Sequence, residues 1–347
     1  MYQYILKWKD VDVLYFNTEV ESLTVLNRTL LPTGLTNMNE SYDMIKRFCS
    51  DRILVSNRKY YKEILTSCGI DDQNAISICL VSKGLSFRDN YWIDAVDSKN
   101  TWLNVNLYQN KFSNKIAKVS ITGVSCYVNI GDKIFTGELT NKGTRAKCYY
   151  RYNNDLFLFK HETDREIAME LISHSIADAI GIPSSTYFVS ELFGKKCSVC
   201  QILTNELYEL IPYRDFIEAY DNNAINEICR IDYRNFLLMV IFDYVTLNTD
   251  RNRDNFGILR YNGKLVSLYP LYDHDSCFKG KSTNAIYFPL GMTFSKSLEW
   301  IKSSPIYNNL VVQIIKSNLK SNDLKNILLS YLTNIEYENM LNRINKL

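Results

Sequence analysis

The stretch LNTDRNRDNFGILRYNGKLVSLYPLYDHDS, residues 247–276, indicates a short β-hairpin with carboxylates and amides at both of its ends. Asn262-Gly263 is the preferred pair for a two-residue hairpin turn, because both central positions of that turn need a positive φ angle. The flanking segments FGILRY and KLVSLYPLY carry the aliphatic and aromatic residues that are typical of strands. Antiparallel pairing about this turn would bring Asp273 back beside Asp250 and Asn255.

These three residues have the chemistry of a magnesium and phosphate site. Mg²⁺ is typically held by one or two carboxylates together with substrate phosphates. Asp250 and Asn255 follow the spacing D-x-x-x-x-N of the protein-kinase catalytic loop, in which the Asp accepts the substrate hydroxyl proton and the Asn binds Mg²⁺. We therefore predict Asp250 as catalytic, and Asn255 and Asp273 as metal ligands. Asp254 and Asp275 lie outside the pattern and are interpreted as ordinary turn residues.

Candidate nucleotide-binding residues precede this stretch in the chain. Lys160 ends the predicted strand DLFLFK, where an ammonium group could reach phosphate oxygens. The helical pattern that follows presents Glu166 and Glu170 one turn apart, and either could form the ion pair with Lys160 that kinases use. The turn TNKGTRAK, residues 140–147, could cover the phosphates of ATP through its backbone N–H groups and its basic side chains. Its predicted nucleotide-binding residues are Gly143, Thr144, Arg145 and Lys147.

In these motifs the sequence resembles the HipA-like serine/threonine kinases, over about residues 135 to 300. The matching segments are NTDRNRDNFGI for the catalytic loop, PLYDHDS for the metal aspartate, FLFK for the lysine strand and GTRAK for the phosphate loop. The resemblance implies a bilobed protein-kinase-like fold, ATP and Mg²⁺ as cofactors, and transfer of the γ-phosphoryl group to a protein serine or threonine. A small DNA-binding antitoxin is a common partner in such systems.

The resemblance also refines the assignment of single residues. It favours Glu170 over Glu166 as the partner of Lys160. Where the family usually has histidine two positions after the catalytic aspartate, this chain has Asn252. Some relatives are autophosphorylated on a serine or threonine just before the phosphate loop, and Thr140 is the nearest equivalent here.

The periodicity of the chain predicts an α+β fold in three parts. Residues 1–117 are predicted as an accessory module of helical and irregular segments. Residues 118–212 are predicted as a β-rich kinase N-lobe with one long helix, and residues 213–347 as a helical kinase C-lobe.

The bulk composition is that of an ordinary globular protein. The chain has 347 residues and a net charge of +2 with both signs interspersed, which gives no electrostatic indication of a nucleic-acid binder. The longest apolar run, FLLMVIF, is too short to cross a membrane, and the first residues lack a secretory signal pattern. Nine scattered cysteines make a poor disulfide framework, and the lone CxxC at Cys197 and Cys200 indicates two buried thiols. We therefore expect a cytoplasmic protein without direct contact to nucleic acid or membrane.

Two other functions fit the same motifs. A phosphoinositide kinase shares the D-R-x-x-x-N loop followed by an aspartate hairpin, although the chain has no basic membrane-facing run. A toxin-like binding protein on a decayed kinase fold is the second alternative, and the filled catalytic positions argue against it.

Overall fold

The computed structural model describes residues 2–71, 74–126, 136–307 and 312–347. The chain forms two compact units, each of which draws on two segments of the sequence. The first unit contains Met1–His161 and Ser190–Glu209, and the second contains Glu162–Val189 and Leu210–Leu347. The mixture of antiparallel sheets and helices confirms the predicted α+β class.

An antiparallel sheet of four strands opens the first unit, in the order β3-β2-β1-β4. The strands are β1 (Gln3–Trp8), β2 (Val11–Asn17), β3 (Ser22–Val25) and β4 (Tyr91–Ala95). The prediction of helical and irregular structure throughout the first 117 residues is therefore wrong for this sheet. Its strands bury Leu6, Leu14 and Phe16, while charged residues such as Lys7 and Asp12 pair across neighbouring strands at 2.6 Å. The interspersed charges concealed the strand pattern.

Five helices accompany this sheet: α1 (Asp43–Ser50), α2 (Tyr61–Ser67), α3 (Ala75–Val81), α4 (Trp102–Val105) and α5 (Asn114–Thr122). The helices α1 and α2 agree with the prediction of helical segments in this part of the chain. Strands were predicted from residue 118 onward, but residues 118–122 belong to α5, because Ile116 and Val119 pack into a core shared with α2. Residues 127–135 of that predicted strand region lie outside the described residues.

A second four-stranded sheet has the order β5-β6-β8-β7. Its strands are β5 (Ala146–Tyr152), β6 (Asp155–His161), β7 (Tyr187–Leu192) and β8 (Lys195–Gln201). A hairpin joins β5 and β6, and Asn153 and Asn154 turn it with φ angles of 48° and 71°. Cys197 and Cys200 are both buried in β8, as the sequence indicated.

Helices dominate the second unit: α6 (Asp164–Ile180), α7 (Tyr213–Tyr220), α8 (Ala224–Thr246), α9 (Phe294–Lys302), α10 (Val312–Leu319), α11 (Asn322–Leu329) and α12 (Asn334–Lys346). The α6 helix begins with a capping box of Thr163 and Glu166 and ends at Gly181 with a φ angle of 81°. It packs on α8, α10 and α11 and shares their hydrophobic core. The long helix that was predicted for the β-rich lobe therefore belongs to the helical unit.

The short strands of this unit are β10 (Gly257–Tyr261), β11 (Lys264–Leu268), β12 (Ile286–Tyr287), β13 (Met292–Thr293) and the last three residues of β9 (Tyr208–Pro212). The hairpin of β10 and β11 turns at Asn262 and Gly263 with φ angles of 46° and 83°, as predicted. An irregularity between Leu259 and Arg260 shifts the register by one residue, so that Ile258 lies opposite Leu268.

The two compact units divide the chain after residues 161, 189 and 209, whereas the predicted boundaries are at residues 117 and 212. The division into an accessory module and two kinase lobes stays a prediction. Across the residues that the structure describes, no helix is both long and apolar enough to span a membrane.

Candidate active site

The loop after α8 carries Asp250, and hydrogen bonds tie it to the end of that helix. The α8 helix ends at Leu247, which adopts a left-handed φ angle of 49°. The side chain of Asn248 donates a hydrogen bond to Asp243 Oδ1 at 3.1 Å and accepts one from the backbone N–H of Asp250 at 3.1 Å. The backbone that presents Asp250 is thus fixed by side chains of the helix and the loop.

A buried arginine connects the loop to the hairpin. Arg251 and Asp243 are fully buried, and the guanidinium donates to both carboxylate oxygens of Asp243 at 3.0 Å. Its Nη1 donates to the carbonyl oxygens of Asn255 at 2.7 Å and Tyr272 at 3.0 Å. The hydroxyl of Tyr287 donates a further hydrogen bond to Asp243 Oδ2 at 2.8 Å. One guanidinium therefore holds the segment of Asn255 against the segment that precedes Asp273.

Asp250 and Asn255 are in direct contact. The amide nitrogen of Asn255 donates to the carbonyl oxygen of Asp250 at 2.8 Å and to its Oδ2 at 3.2 Å. The amide of Asn252 donates to Oδ1 of Asp250 at 3.0 Å. Because the amide nitrogen of Asn255 points toward Asp250, its amide oxygen is the atom that can bind a cation.

The hairpin returns Asp273 to this place in an unusual backbone conformation. Asp273 has a φ angle of 60°, in the left-handed region that aspartate tolerates better than most residues. Its backbone N–H donates to the hydroxyl of Tyr187 at 3.1 Å, and the N–H of the next residue, His274, donates to Glu170 Oε2 at 2.8 Å. The imidazole of His274 is buried against the rings of Phe242 and Tyr187. The segment is thus fixed on both sides of Asp273.

Asp273 follows Tyr272, whose carbonyl oxygen shares Arg251 Nη1 with that of Asn255, and the charge of Asp273 acts on Asp250. Partial desolvation raises the pKa of Asp250 above its ordinary value, and the charges of Asp273 and Asp275 raise it further. The hydrogen bond from Asn252 and the charge of Arg251 act in the opposite direction. The structure therefore brings together Asp250, Asn255 and Asp273, and it adds Asp275 as a charged neighbour that sequence spacing did not indicate.

The donor set fits a magnesium ion that also binds phosphates. Among the described residues, no group of three or more His, Cys, Asp or Glu side chains is placed to hold a metal ion. Asn255 and Asp273 supply one amide oxygen and one carboxylate, which matches the few protein ligands that Mg²⁺ takes when phosphates complete its coordination. These residues would hold the ion, and its chemistry would be neutralisation of phosphate charge.

We expect the Asp275→Asn substitution to lower the pKa of Asp250, since it removes one of the two carboxylates that repel its ionised form. A folded-state pKa above the unfolded value contributes stability at low pH, and that contribution is lost as the pH rises through the folded pKa. The variant should lose less stability over this range than the wild type. Carboxyl carbon NMR titration of the metal-free protein measures the pKa. Asp254→Asn is the control, and an unchanged Asp250 pKa in Asp275→Asn would contradict the assignment.

Glu166 and Glu170 lie one turn apart on α6 and have different surroundings. Glu166 closes the capping box with Thr163 and lies 3.4 Å from the ammonium group of Lys279. Glu170 is fully buried and accepts the hydrogen bond from the backbone of His274. The helix-capping role of Glu166 agrees with the preference for Glu170 as the predicted partner of Lys160. The ion pair of Lys160 with Glu170 stays a prediction.

Lys160 lies on β6 in the first unit and is 4% exposed. It pairs directly with Lys147 on β5, so the two lysines occupy the same face of the sheet. Gly143 has a φ angle of 100°, and a Cβ atom at this position would lie 2.4 Å from the Lys147 Nζ atom. Thr144 and Arg145 are exposed. The predicted phosphate loop therefore folds back over one of two neighbouring ammonium groups.

Thr140, the autophosphorylation candidate, is buried. Its hydroxyl donates to the carbonyl oxygen of Leu85 at 2.7 Å and to that of Gly137 at 3.1 Å. Phosphorylation at this position would require the segment to leave its buried place, and it stays a prediction.

Sequence reasoning did not find the anchors of the site. Asp243 lies in α8, and its link through Arg251 to both loops was missed. A carboxylate that directly follows the apolar run FLLMVIF was the available signal, because a charge in a buried helix needs a partner. No sequence pattern indicated the role of Tyr187, because its hydroxyl accepts a hydrogen bond from the backbone of Asp273, which is far away in the chain.

Together these features define a protein-kinase-like fold. No family model and no curated protein matches the sequence. The structure is similar to HipA from Shewanella oneidensis, solved in a complex of the HipA and HipB toxin-antitoxin system with operator DNA. The TM-score is 0.63 at 12% identity, over 99% of this chain and 97% of that one. The resemblance to HipA-like proteins and the predicted protein-kinase-like class are confirmed at the level of the fold.

A second solved structure is the proinflammatory kinase CtkA of Helicobacter pylori. The match has a TM-score of 0.43 at 16% identity and covers 58% of this chain and 89% of that one. This likeness is too low to carry an argument.

Proposed function

We propose that the chain is an ATP-dependent serine/threonine protein kinase of HipA-like type, which transfers the γ-phosphoryl group of ATP to a protein hydroxyl. The observation that carries the proposal is the joint placement of Asp250, Asn255 and Asp273, with Arg251 fixing both segments that present them. Phosphoryl transfer needs little covalent chemistry from the protein, so that positioning and charge neutralisation supply most of the catalysis.

Each residue has a defined part in this proposal. Asp250 accepts the proton of the substrate hydroxyl, and its raised pKa makes it a better base than an ordinary aspartate. Asn255 and Asp273 hold Mg²⁺, Lys160 orients the phosphates, and Glu170 holds Lys160.

The facing lysines of the first unit support an anionic ligand. Lys147 and Lys160 lie directly opposite each other on β5 and β6, and two cationic side chains on one face of this sheet would suit a phosphate group. The exposed Arg145 and the backbone around Gly143 would add further donors.

Incubation of the full chain with γ-labelled ATP and Mg²⁺ tests the function. The reaction should contain a mixture of soluble proteins and, in a separate arm, phosphoinositide vesicles. We expect label on serine or threonine of protein. Label on the lipid alone would replace the proposal with a lipid kinase, and absence of nucleotide binding by calorimetry would favour a non-catalytic binding protein.

Autophosphorylation is a further part of the proposal. Mass spectrometry of the same reaction without added substrate should find phosphate on Thr140, with Thr144 as the alternative. Phosphate confined to other residues would contradict this assignment.

We also propose a small antitoxin-type protein as partner and the cytoplasm as location. The structurally similar HipA is in complex with HipB and operator DNA. The expectation that this chain makes no direct contact with nucleic acid therefore finds no support. Copurification with a protein expressed from a neighbouring reading frame, followed by DNA-binding measurements on the complex, tests both points.

A further inference from the structure

A buried arginine of the first unit closes the base of the predicted phosphate loop. Arg58 lies between α1 and α2, and its side chain is fully buried. Its guanidinium donates hydrogen bonds to the carbonyl oxygens of Asn141 and, at 2.6 Å, Lys147. These two carbonyls lie on either side of Gly143 in the chain, so that one side chain joins both ends of the loop.

Two further contacts fix the same segment. The carboxylate of Glu138 lies 3.3 Å from Arg58 Nη2 and accepts a hydrogen bond from the backbone N–H of Tyr149 at 2.7 Å. The backbone N–H of Lys59 donates to the carbonyl oxygen of Thr144 at 2.8 Å. Two residues of the connection between α1 and α2 therefore hold the loop. Arg58 binds it before and after its exposed residues, and Lys59 binds it at Thr144.

The electrostatics of the buried pair of Arg58 and Glu138 indicate that it fixes the geometry of this segment more than it adds to the free energy of folding. Burial raises the pKa of Glu138, and the charge of Arg58 opposes that rise. Burial also lowers the pKa of Arg58, and Glu138 opposes this in turn. Because a buried ion pair roughly breaks even against apolar residues of similar volume, its contribution to folding is small. A planar guanidinium with several fixed donors is, however, well suited to hold two carbonyls and a carboxylate at set distances.

We propose that Arg58 is a positioning residue for the phosphate loop, which it holds in the conformation that presents the backbone around Gly143 and the Lys147 ammonium to the phosphates of the nucleotide. This inference rests on the proposed function. It assigns a part in nucleotide binding to the region before residue 117, where the sequence carried no usable motif. The loop needs the anchor because its middle residues, Thr144 and Arg145, are exposed.

The test compares Arg58→Met and Arg58→Lys with a matched control, Arg52→Met. Arg52 is also a buried arginine of the first unit, where it pairs with Asp89 and donates to the carbonyl oxygen of Gly84. Limited trypsin digestion reports the loop directly, because Arg145 is an exposed cleavage site within it. Steady-state kinetics report, through the KM for ATP, how well the loop is positioned to bind the nucleotide.

We expect both methionine variants to lose thermal stability, but only Arg58→Met to be cleaved faster after Arg145. Its KM for ATP should rise by about tenfold or more while kcat changes less, because displacement of a positioning element by about 1 Å can cost up to about a hundredfold. Arg58→Lys keeps one charge but not the fork of donors, and it should fold and still show a raised KM.

Equal cleavage after Arg145 in Arg58→Met and Arg52→Met, or equal changes in KM, would overturn the proposal. If Arg58→Met fails to fold, a wild-type KM and cleavage rate in Arg58→Lys would overturn it as well. A wild-type protein that neither binds nor uses ATP would overturn the proposed function and the nucleotide part of this inference. The cleavage assay would then still decide whether Arg58 holds the loop.

Discussion

The Asp250→Asn protein should bind ATP but transfer its phosphoryl group about 10²–10⁴-fold more slowly than the wild type, the range that a positioned general base contributes. Asparagine keeps the size of the side chain and an oxygen for the hydrogen bond from Asn252, so the loop should keep its conformation. It lacks the carboxylate that we propose as the acceptor of the substrate proton. Labelled-phosphate transfer under single-turnover conditions measures the loss, and calorimetry measures ATP binding.

Asp254→Asn is the matched control for this experiment. Asp254 lies in the same loop, but its carboxylate pairs with Arg214 at 3.1 Å and it stands outside the catalytic spacing. Its removal should leave transfer within about threefold, because the carboxylate of Asp254 is 42% exposed and exposed charges contribute little to ion pairs. Equal losses in the two variants would show that the loop, and not the carboxylate of Asp250, limits the reaction.

Asp243→Ala should lower the free energy of unfolding by about 3–5 kcal/mol, the usual cost of leaving a buried charge without its partner. Asp243 and Arg251 are both fully buried; burial lowers the pKa of Arg251, and the charge and hydrogen bonds of Asp243 outweigh that effect. Because arginine is not deprotonated in proteins, the substitution leaves its buried charge without a partner. The hydroxyl of Tyr287 and the amide of Asn248 would lose an acceptor as well. Urea denaturation followed by circular dichroism measures the change.

The pair of Asp254 with Arg214, in which the carboxylate is partly exposed, provides the comparison for the Asp243→Ala prediction. Asp254 is 42% exposed, so Asp254→Ala should cost about 1 kcal/mol or less. The double variant Asp243→Leu with Arg251→Met should recover most of the lost stability, because both charges are removed together. It should not recover transfer, since the link between the two loops is gone. An Asp243→Ala protein as stable as Asp254→Ala would contradict the account of the anchor.

The parts of the fold that sequence could predict are those set by local chemistry. The turn at Asn262 and Gly263 needs positive φ angles that few residues adopt, and both residues are observed there. The α6 helix has a clear start and stop, with a capping box at Thr163 and a left-handed glycine at Gly181. The register that follows from this turn differs by one residue from the observed pairing of Ile258 with Leu268.

Other elements depend on partners that local pattern does not reveal. Val119, Ile121 and Thr122 favour a strand by their branched side chains, but they lie in α5, because contact with α2 outweighs that preference. The first sheet pairs β1 with β4, whose strands are far apart in the chain. The contacts of Arg58 with Glu138 and of Tyr187 with Asp273 likewise join distant segments. Spacing rules cannot detect such pairs in a single sequence.

The left-handed backbone of Asp273 restricts what the chain can place at this position. Glycine, asparagine and aspartate adopt that conformation most readily, whereas most other side chains are strained in it. Of these three only aspartate carries the negative charge that the proposed cation site needs. Glutamate would keep the negative charge but would be strained in this conformation. Asparagine would adopt the conformation but lacks the charge. Shape and charge together therefore leave a single residue type that satisfies both demands, although either demand alone would permit several.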